Sequence, residues 1–300
     1  MVSLLEAINE GPIKYDETLP GLLPGSAGLL VAPGSTGKGF ASLQLGVSVA
    51  CPESIDPFFG ELYDGFGSSP FDTDHSGPVS VLMAEDPSFV IHNRLHYIGE
   101  TLKEVPGVGE VTLEKTNENL CVGSLTGQLP RILTAGDTLS DEEKEWREKL
   151  FEWCENQRLV ILDPLARFHS ADENHNGKMT TLVQLLEQVA QETKTAIIFT
   201  HHANKQSMWS DSGDQQSAAR GASALTDAVR WQVNMCGMSE DEAQELDVNR
   251  RRKYVRFSLP KINFNSPIDD FWLERSRGGT LKYVDFKEND SVDDYGDDFS

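Results

Sequence analysis

Four short apolar runs recur along the first two-thirds of the chain: Leu29 to Ala32, Val79 to Ala84, Leu159 to Asp163 and Ala196 to Thr200. Each gives way to helix-like or loop-like sequence, an alternation that predicts a mainly parallel sheet flanked by helices. After the first run, Leu43, Leu45, Val47 and Val49 stand among small residues, as expected of a helix packed on that sheet. Thr180 to Thr193 carries Leu182, Leu185, Leu186 and Val189 at helical spacing and reads as an amphipathic helix. The last third changes character, with the β-rich runs VRWQVNM, KYVRFSL and FWLER followed by GGTLKYVDF, where Gly278-Gly279 suggests a hairpin turn. The expected fold is therefore an α/β domain whose C-terminal part adds antiparallel strands at the sheet edge.

The first run leads straight into Pro33-Gly34-Ser35-Thr36-Gly37-Lys38-Gly39-Phe40. Small residues here let successive backbone N–H groups turn inward around phosphate oxygens, and a helix starting near Lys38 adds its positive end. Lys38 then reaches the β and γ phosphates of a bound nucleotide. Ala32 replaces the first glycine of the usual pattern, a modest departure because Gly34 keeps the turn free. Gly39 is the larger departure, since a Ser or Thr hydroxyl normally binds Mg²⁺ at that position. One water can fill that place in the six-oxygen shell of the ion. The pattern thus predicts ATP binding with slowed turnover, Ser42 or Thr36 as substitute hydroxyls, and a Gly39→Ser exchange that raises kcat.

Two further strand ends point the same way. Asp163 closes LVILD, where a carboxylate can hold the metal ion through water, and Glu85 and Asp86 follow SVLMA. His201 and His202 follow AIIFT, and a neutral imidazole there can hydrogen-bond the γ-phosphate or the attacking water.

Composition limits the setting. The chain has 300 residues and a formal net charge of −22, which argues against a protein coating nucleic acid with a wholly basic face but leaves room for a local basic channel. The four cysteines form no CxxC or Cys/His pattern, so neither a disulfide nor zinc is expected. No run stays apolar long enough to span a bilayer, and a cytoplasmic protein without membrane contact is the expectation. Residues 287–300, KENDSVDDYGDDFS, are acidic and lack apolar periodicity, so they read as a disordered tail. Two readings of it stay open: a solubilising segment, or a docking site for a replication partner carrying the terminal aromatic Phe299.

The order APGSTGKG, AEDP with IHNRLH, VILDPLARFH, FTHHANK, GDQQSAARGASALTDAVRWQ and VRFSLPKINF resembles the plasmid-encoded RepA replicative helicases, a hexameric branch of the RecA-like P-loop ATPases. The resemblance runs from about residue 23 to about residue 284. It implies an ATP-dependent helicase or translocase, a homo-oligomeric ring around single-stranded DNA with ATP and Mg²⁺ at each subunit interface. The division is then a 1–22 N-terminal segment, a 23–286 RecA-like ATPase domain and the 287–300 tail. By the same resemblance Lys38 is the P-loop lysine, Glu85 the glutamate that activates water, Asp163 the metal-side aspartate, His202 the sensor, and Arg94 a family arginine near the site.

An arginine finger from the neighbouring subunit can be Arg220 or Arg230, with Arg230 the better match to the family motif. Lys261 falls where related helicases carry a second cation facing the neighbour; an edge-strand lysine that blocks aggregation is the equal alternative. Lys178, Lys205 and Trp209, with Arg220, lie in two polar loops whose counterparts line the central channel in RecA-like rings, and they are the expected DNA contacts. One rival function stays open, a nucleotide-binding ring that acts as a switch or scaffold and barely hydrolyses because of Gly39. The other is a filament-forming recombination ATPase.

Overall fold

The computed structural model describes residues 3–60, 69–71, 75–136, 138–202 and 223–286. One nine-stranded sheet runs through them in the order β3-β2-β4-β5-β1-β6-β7-β8-β9. The strands are β1 (Ala27–Ala32), β2 (Val79–Met83), β3 (Leu120–Ser124), β4 (Leu159–Asp163), β5 (Ala196–His202), β6 (Trp231–Gly237), β7 (Tyr254–Ile262), β8 (Phe271–Arg275) and β9 (Leu281–Val284). The first six are parallel, and β7 to β9 continue antiparallel. The expected architecture is present, with one adjustment: VRWQVNM forms β6, which pairs parallel to β1, so only the last three strands are antiparallel.

Every residue of β1, β2 and β4 is buried because helices cover both faces of the sheet. Side chains alternate across β1, sending Leu30 and Ala32 into one apolar cluster and Leu29 and Val31 into the other. The first cluster is filled by α2 (Lys38–Ala50) and by the rings of Phe58, Phe71, Phe257 and Phe271. The second is filled by α5 (Asp141–Cys154) and α6 (Asn176–Thr193). Between β2 and β3 the chain forms α3 (Ser88–Leu102) and α4 (Glu110–Asn119). The short helices α7 (Ser223–Ala228) and α8 (Glu240–Glu245) flank β6, and α1 (Leu4–Glu10) opens the described chain.

Strand register positions the site. Met83 pairs with Asp163, and Ala32 pairs with His202, so the ends of β2, β4, β5 and β1 fall on one line along the sheet edge. Residues before β1 belong to the same core: Leu19 and Leu22 are buried, and Trp231 Nε1 donates to the Pro20 carbonyl at 2.9 Å. α1 differs, with none of its residues buried. Among the described residues, no helix is long and apolar enough to cross a membrane.

The sheet and α2 meet closely at Gly46, where an added Cβ would stand 2.9 Å from Val81 Cγ2. Gly46→Val is expected to lower stability by about 1–3 kcal/mol through overpacking. Thermal unfolding of the variant checks this, and an unchanged Tm would mean that the helix does not rest on β2.

Candidate active site

The chain leaves β1 at Ala32 and turns through Pro33 to Gly37 into α2. Ser35 and Gly37 take left-handed backbone angles, φ 67° and 105°, which curl the loop over the helix start. No side chain caps α2, so the first-turn amides near Lys38 and Gly39 are oriented toward an incoming oxyanion. Gly34 and Ser35 are exposed at the loop tip, whereas Thr36 is buried and faces inward. A cavity of about 380 Å³ opens beside this loop. Pro33, Ser35 and Gly37 to Phe40 form one wall; Glu85, Asp86 and Arg94 form the next, and Asp163 and His202 the third.

At its floor Lys38 Nζ donates to Asp163 Oδ1 in an ion pair whose partners are 8% and 5% exposed as residues. Thr200 Oγ1 bridges them, 2.8 Å from Lys38 Nζ and 2.7 Å from Asp163 Oδ1. Ser42, one turn along α2, has its hydroxyl 3.4 Å from the other carboxylate oxygen. Mg²⁺ favours hard oxygen donors and keeps most of its shell as water. A buried carboxylate with hydroxyls on both sides fits that ion, and Asp163 and Ser42 are the groups that would hold it.

Glu85 lies at the cavity mouth. Arg167, in the short turn after β4, donates through Nε to Glu85 Oε1 at 2.9 Å, while His202 Nε2 stands 3.7 Å from Oε2, beyond hydrogen-bond length. His202 is the last residue of β5, so both histidines belong to the strand rather than to the loop after it. The paired His201 is buried, and that burial holds its imidazole below the ordinary value; Glu173 pulls it back up, while His202, His169 and Lys38 push it further down.

Gly39 now has a physical explanation. An added Cβ there would meet Arg94 Nη1 at 2.5 Å, and Met83 Cε at 3.3 Å. Arg94 makes room only by giving up contacts, because Asp86 accepts two hydrogen bonds from it at 2.5 and 3.0 Å and its guanidinium lies 5.6 Å from the Phe40 ring centre. Cavity space that a hydroxymethyl would fill is therefore taken by a guanidinium. The expectation that Gly39→Ser raises kcat omits this clash and is revised below.

On the fourth side stands Arg275, at the end of β8. Its Nη2 donates to the carbonyls of Ser35 at 3.1 Å and Thr36 at 2.8 Å, holding the loop from behind. Burial lowers its pKa from the usual guanidinium value. Thr200, Arg167 and Arg275 are site residues that sequence reasoning missed. A threonine inside an apolar strand and an arginine one turn after Asp163 were usable signals; nothing local marks Arg275.

Two expected site residues stand elsewhere. The β1–β6 register puts Arg230 beside the start of β1, separated from the loop by the length of that strand, roughly 16 Å at ~3.3 Å per residue. Lys261 is near it on β7, in the part of that strand that pairs with β6 but has no register partner in β8, so both readings of it stand. Its ammonium donates to the Thr226 and Asp227 carbonyls at 2.9 and 3.2 Å, as a cation at the end of α7. Burial lowers the Lys261 pKa, with Asp227 opposing the shift and Arg230 adding to it. Lys178 lies in the first turn of α6 rather than in a loop, and its Nζ donates to the Gly136 carbonyl at 2.9 Å. Arg220, Lys205, Trp209 and the 287–300 tail lie outside the described residues.

The family model described as an AAA domain matches residues 4–208. Among solved structures, the crystal structure of the RadB recombinase is similar at 12% identity with a TM-score of 0.51, covering 88% of this chain and 93% of that one. At that identity the likeness concerns the fold, which is RecA-like.

Gly39→Ser is expected to expel Arg94 from Asp86 and to lower kcat for nucleotide hydrolysis several-fold. In the Gly39→Ser/Arg94→Ala double variant the clash is absent, and the two effects should be strongly non-additive. Steady-state kinetics on the four forms decide it; additive effects would mean that the two residues do not share this space.

Proposed function

The chain belongs to the AAA domain family, and from that premise we propose that it is an ATP-driven translocase or helicase on single-stranded DNA, assembled as a ring of its own copies. One observation carries the reading. Lys38, Glu85, Asp163 and His202 converge on a single cavity, while the two candidate trans cations, Arg230 and Lys261, stand together at the opposite edge of the sheet.

In this mechanism the amides of Gly37 to Gly39 and the Lys38 ammonium bind the phosphates of ATP, with Lys38 exchanging part of its contact with Asp163 for the γ-phosphate oxygens. Asp163 and Ser42 would hold Mg²⁺, which would supply charge neutralisation to the phosphates. Glu85 orients and deprotonates the attacking water, and Arg167 fixes one of its oxygens so that the other faces the reaction. His202, next to that free oxygen, reports the state of the γ-phosphate to the segment after β5. Arg94 lies over Gly39 and adds positive charge on the cavity's second side.

A cation a strand length away from its own loop cannot serve the phosphates that loop binds, so any phosphate it meets belongs to a neighbour. Arg230 is accordingly assigned as the finger supplied in trans, with Lys261 beside it, and Arg220 as the other candidate finger. Self-assembly has a second support in α1, whose Leu4, Leu5 and Ile8 are 76%, 71% and 66% exposed. Apolar side chains presented together on a short helix favour burial against another surface, here a second copy. The resemblance to RepA helicases gives six as the number of copies. Lys178, Lys205 and Trp209 are assigned to the DNA strand in the ring's channel, and the acidic tail to a replication partner. A second reading, a nucleotide-gated ring with weak hydrolysis, is favoured by the Arg94 guanidinium standing where the usual hydroxyl would be.

Lys38→Ala should abolish detectable ATP hydrolysis and strand displacement on a forked duplex, while the native protein shows both. Hydrolysis without displacement by the native protein would sink the helicase and leave the gated ring. Arg230→Ala should lose at least tenfold in kcat yet keep ATP affinity, and mixing it with Lys38→Ala should restore part of the activity, because mixed interfaces then pair an intact loop with an intact finger. No recovery on mixing would argue that Arg230 does not act across an interface.

A further inference from the structure

The chain's longest unbroken run of cations, Arg250-Arg251-Arg252-Lys253, stands in a protein of net charge −22. It forms a single 3₁₀ turn, Arg251–Lys253, entered from Arg250, directly before β7. β7 runs antiparallel to β6, and Gly237 pairs with Val255, so this turn lies on the same edge of the sheet as the nucleotide loop.

Two of the four cations are already matched: Arg251 Nη2 donates to Glu240 at 2.8 Å, and Lys253 Nζ pairs with Glu274. Arg250 and Arg252 are exposed and have no carboxylate partner among the described residues. Both line a concavity of about 460 Å³ whose inner wall is Arg275. Arg275 also lines the nucleotide cavity, and its described hydrogen bonds go only to carbonyls: Nη1 to Arg252, Nη2 to Ser35 and Thr36. Three guanidinium-bearing residues without a carboxylate partner among the described residues thus line one concavity, and one of them is half-buried. Planar guanidiniums bind oxyanions bidentately, tetrahedral phosphates included.

The shape selects the class of anion. Arg250 and Arg252 stand on an exposed rim, which suits a chain of phosphates passing over the turn better than one enclosed phosphate. Among the described residues the lining of this concavity is Asn249, the four cations of the turn and Arg275, with no aromatic ring, so it suits the phosphodiester backbone rather than the bases.

We propose that the Arg250–Lys253 turn binds the phosphodiester backbone of a single-stranded nucleic acid, and that Arg275, joined to both the turn and the nucleotide loop, relays its occupancy to that loop. This rests on the reading of the chain as a single-strand motor and adds a contact outside the loops assigned to the channel. A backbone phosphate drawn to Arg252 shifts a carbonyl that Arg275 holds. Arg275 in turn holds the carbonyls of Ser35 and Thr36, so the loop's grip on ATP changes with the strand bound.

The test uses the full chain and a fluorescein-labelled oligothymidylate, followed by anisotropy between about 50 and 200 mM KCl. Arg250→Ala/Arg252→Ala is expected to bind at least tenfold more weakly at the lowest salt, with the slope of log K against log salt reduced by about 1.4, two contacts at ~0.7 each. Arg250→Lys/Arg252→Lys should recover most of the slope. If the alanine pair melts early, Arg250→Gln/Arg252→Gln is read in its place. Native affinity and slope in the folded variant overturn the inference while leaving the proposed function intact; no binding by the native protein overturns both. The relay is read as the change in ATP affinity on adding oligothymidylate. That change should vanish in Arg275→Gln, and its persistence there overturns the coupling.

Discussion

The site depends on a buried charge pair. Lys38 and Asp163 come from α2 and β4 and are almost wholly removed from water. Neither charge is tolerable there alone, because desolvating an isolated ammonium or carboxylate costs several kcal/mol. Thr200 satisfies both, so α2, β4 and β5 are tied at one point by polar contacts that no apolar substitution reproduces. Such a pair contributes little to net stability, since attraction roughly offsets desolvation. What it supplies is position: a lysine already held over the Asp163 carboxylate, with the Thr200 and Ser42 hydroxyls arranged around it. When ATP arrives, its phosphates can replace part of that carboxylate's role at little reorganisation cost.

The same reasoning explains the departure at Gly39. A missing hydroxyl, seen alone, looks like lost function. Arg94 and Asp86 change this, because their two-bonded pair occupies the volume that a side chain at position 39 would need. Ser42 sits one turn on, within reach of Asp163. Loop, helix α3 and strand β2 have been arranged together, and altering one position toward the commoner pattern breaks contacts at the other two.

Much of this was legible in the sequence for a simple reason. Buried parallel strands must be apolar along their whole length, so β1, β2, β4 and β5 announce themselves, and in such sheets the residues just beyond them gather at one edge. β3 escaped because it is an edge strand, paired on one side only and mostly half-exposed, so LCVGS carries no comparable apolar signal. Lys178 has no helical signal in the sequence because α6 begins at Asn176, six residues before Leu182 opens its apolar stripe, at a His175 cap whose ring nitrogen accepts from the Lys178 amide. Arg275 had no sequence signal at all. Its contact with Ser35 and Thr36 arises because two antiparallel turns bring the end of β8 to the sheet edge where the loop lies, a tertiary fact absent from local pattern.

Charge distribution raises a different problem, since a strongly acidic chain is a poor candidate to hold a polyanion. Net charge, however, acts at long range and is screened within roughly 8 Å at physiological salt. What a strand's phosphates meet at contact is the local set of side chains. At the Arg250–Lys253 turn that set is cationic even after Glu240 and Glu274 are counted, because Arg250, Arg252 and Arg275 keep unmatched charge among the described residues. The surrounding acidity then works in favour of selectivity. It weakens non-specific adhesion of nucleic acid elsewhere on the surface and confines attraction to the edge of the sheet where the nucleotide loop lies.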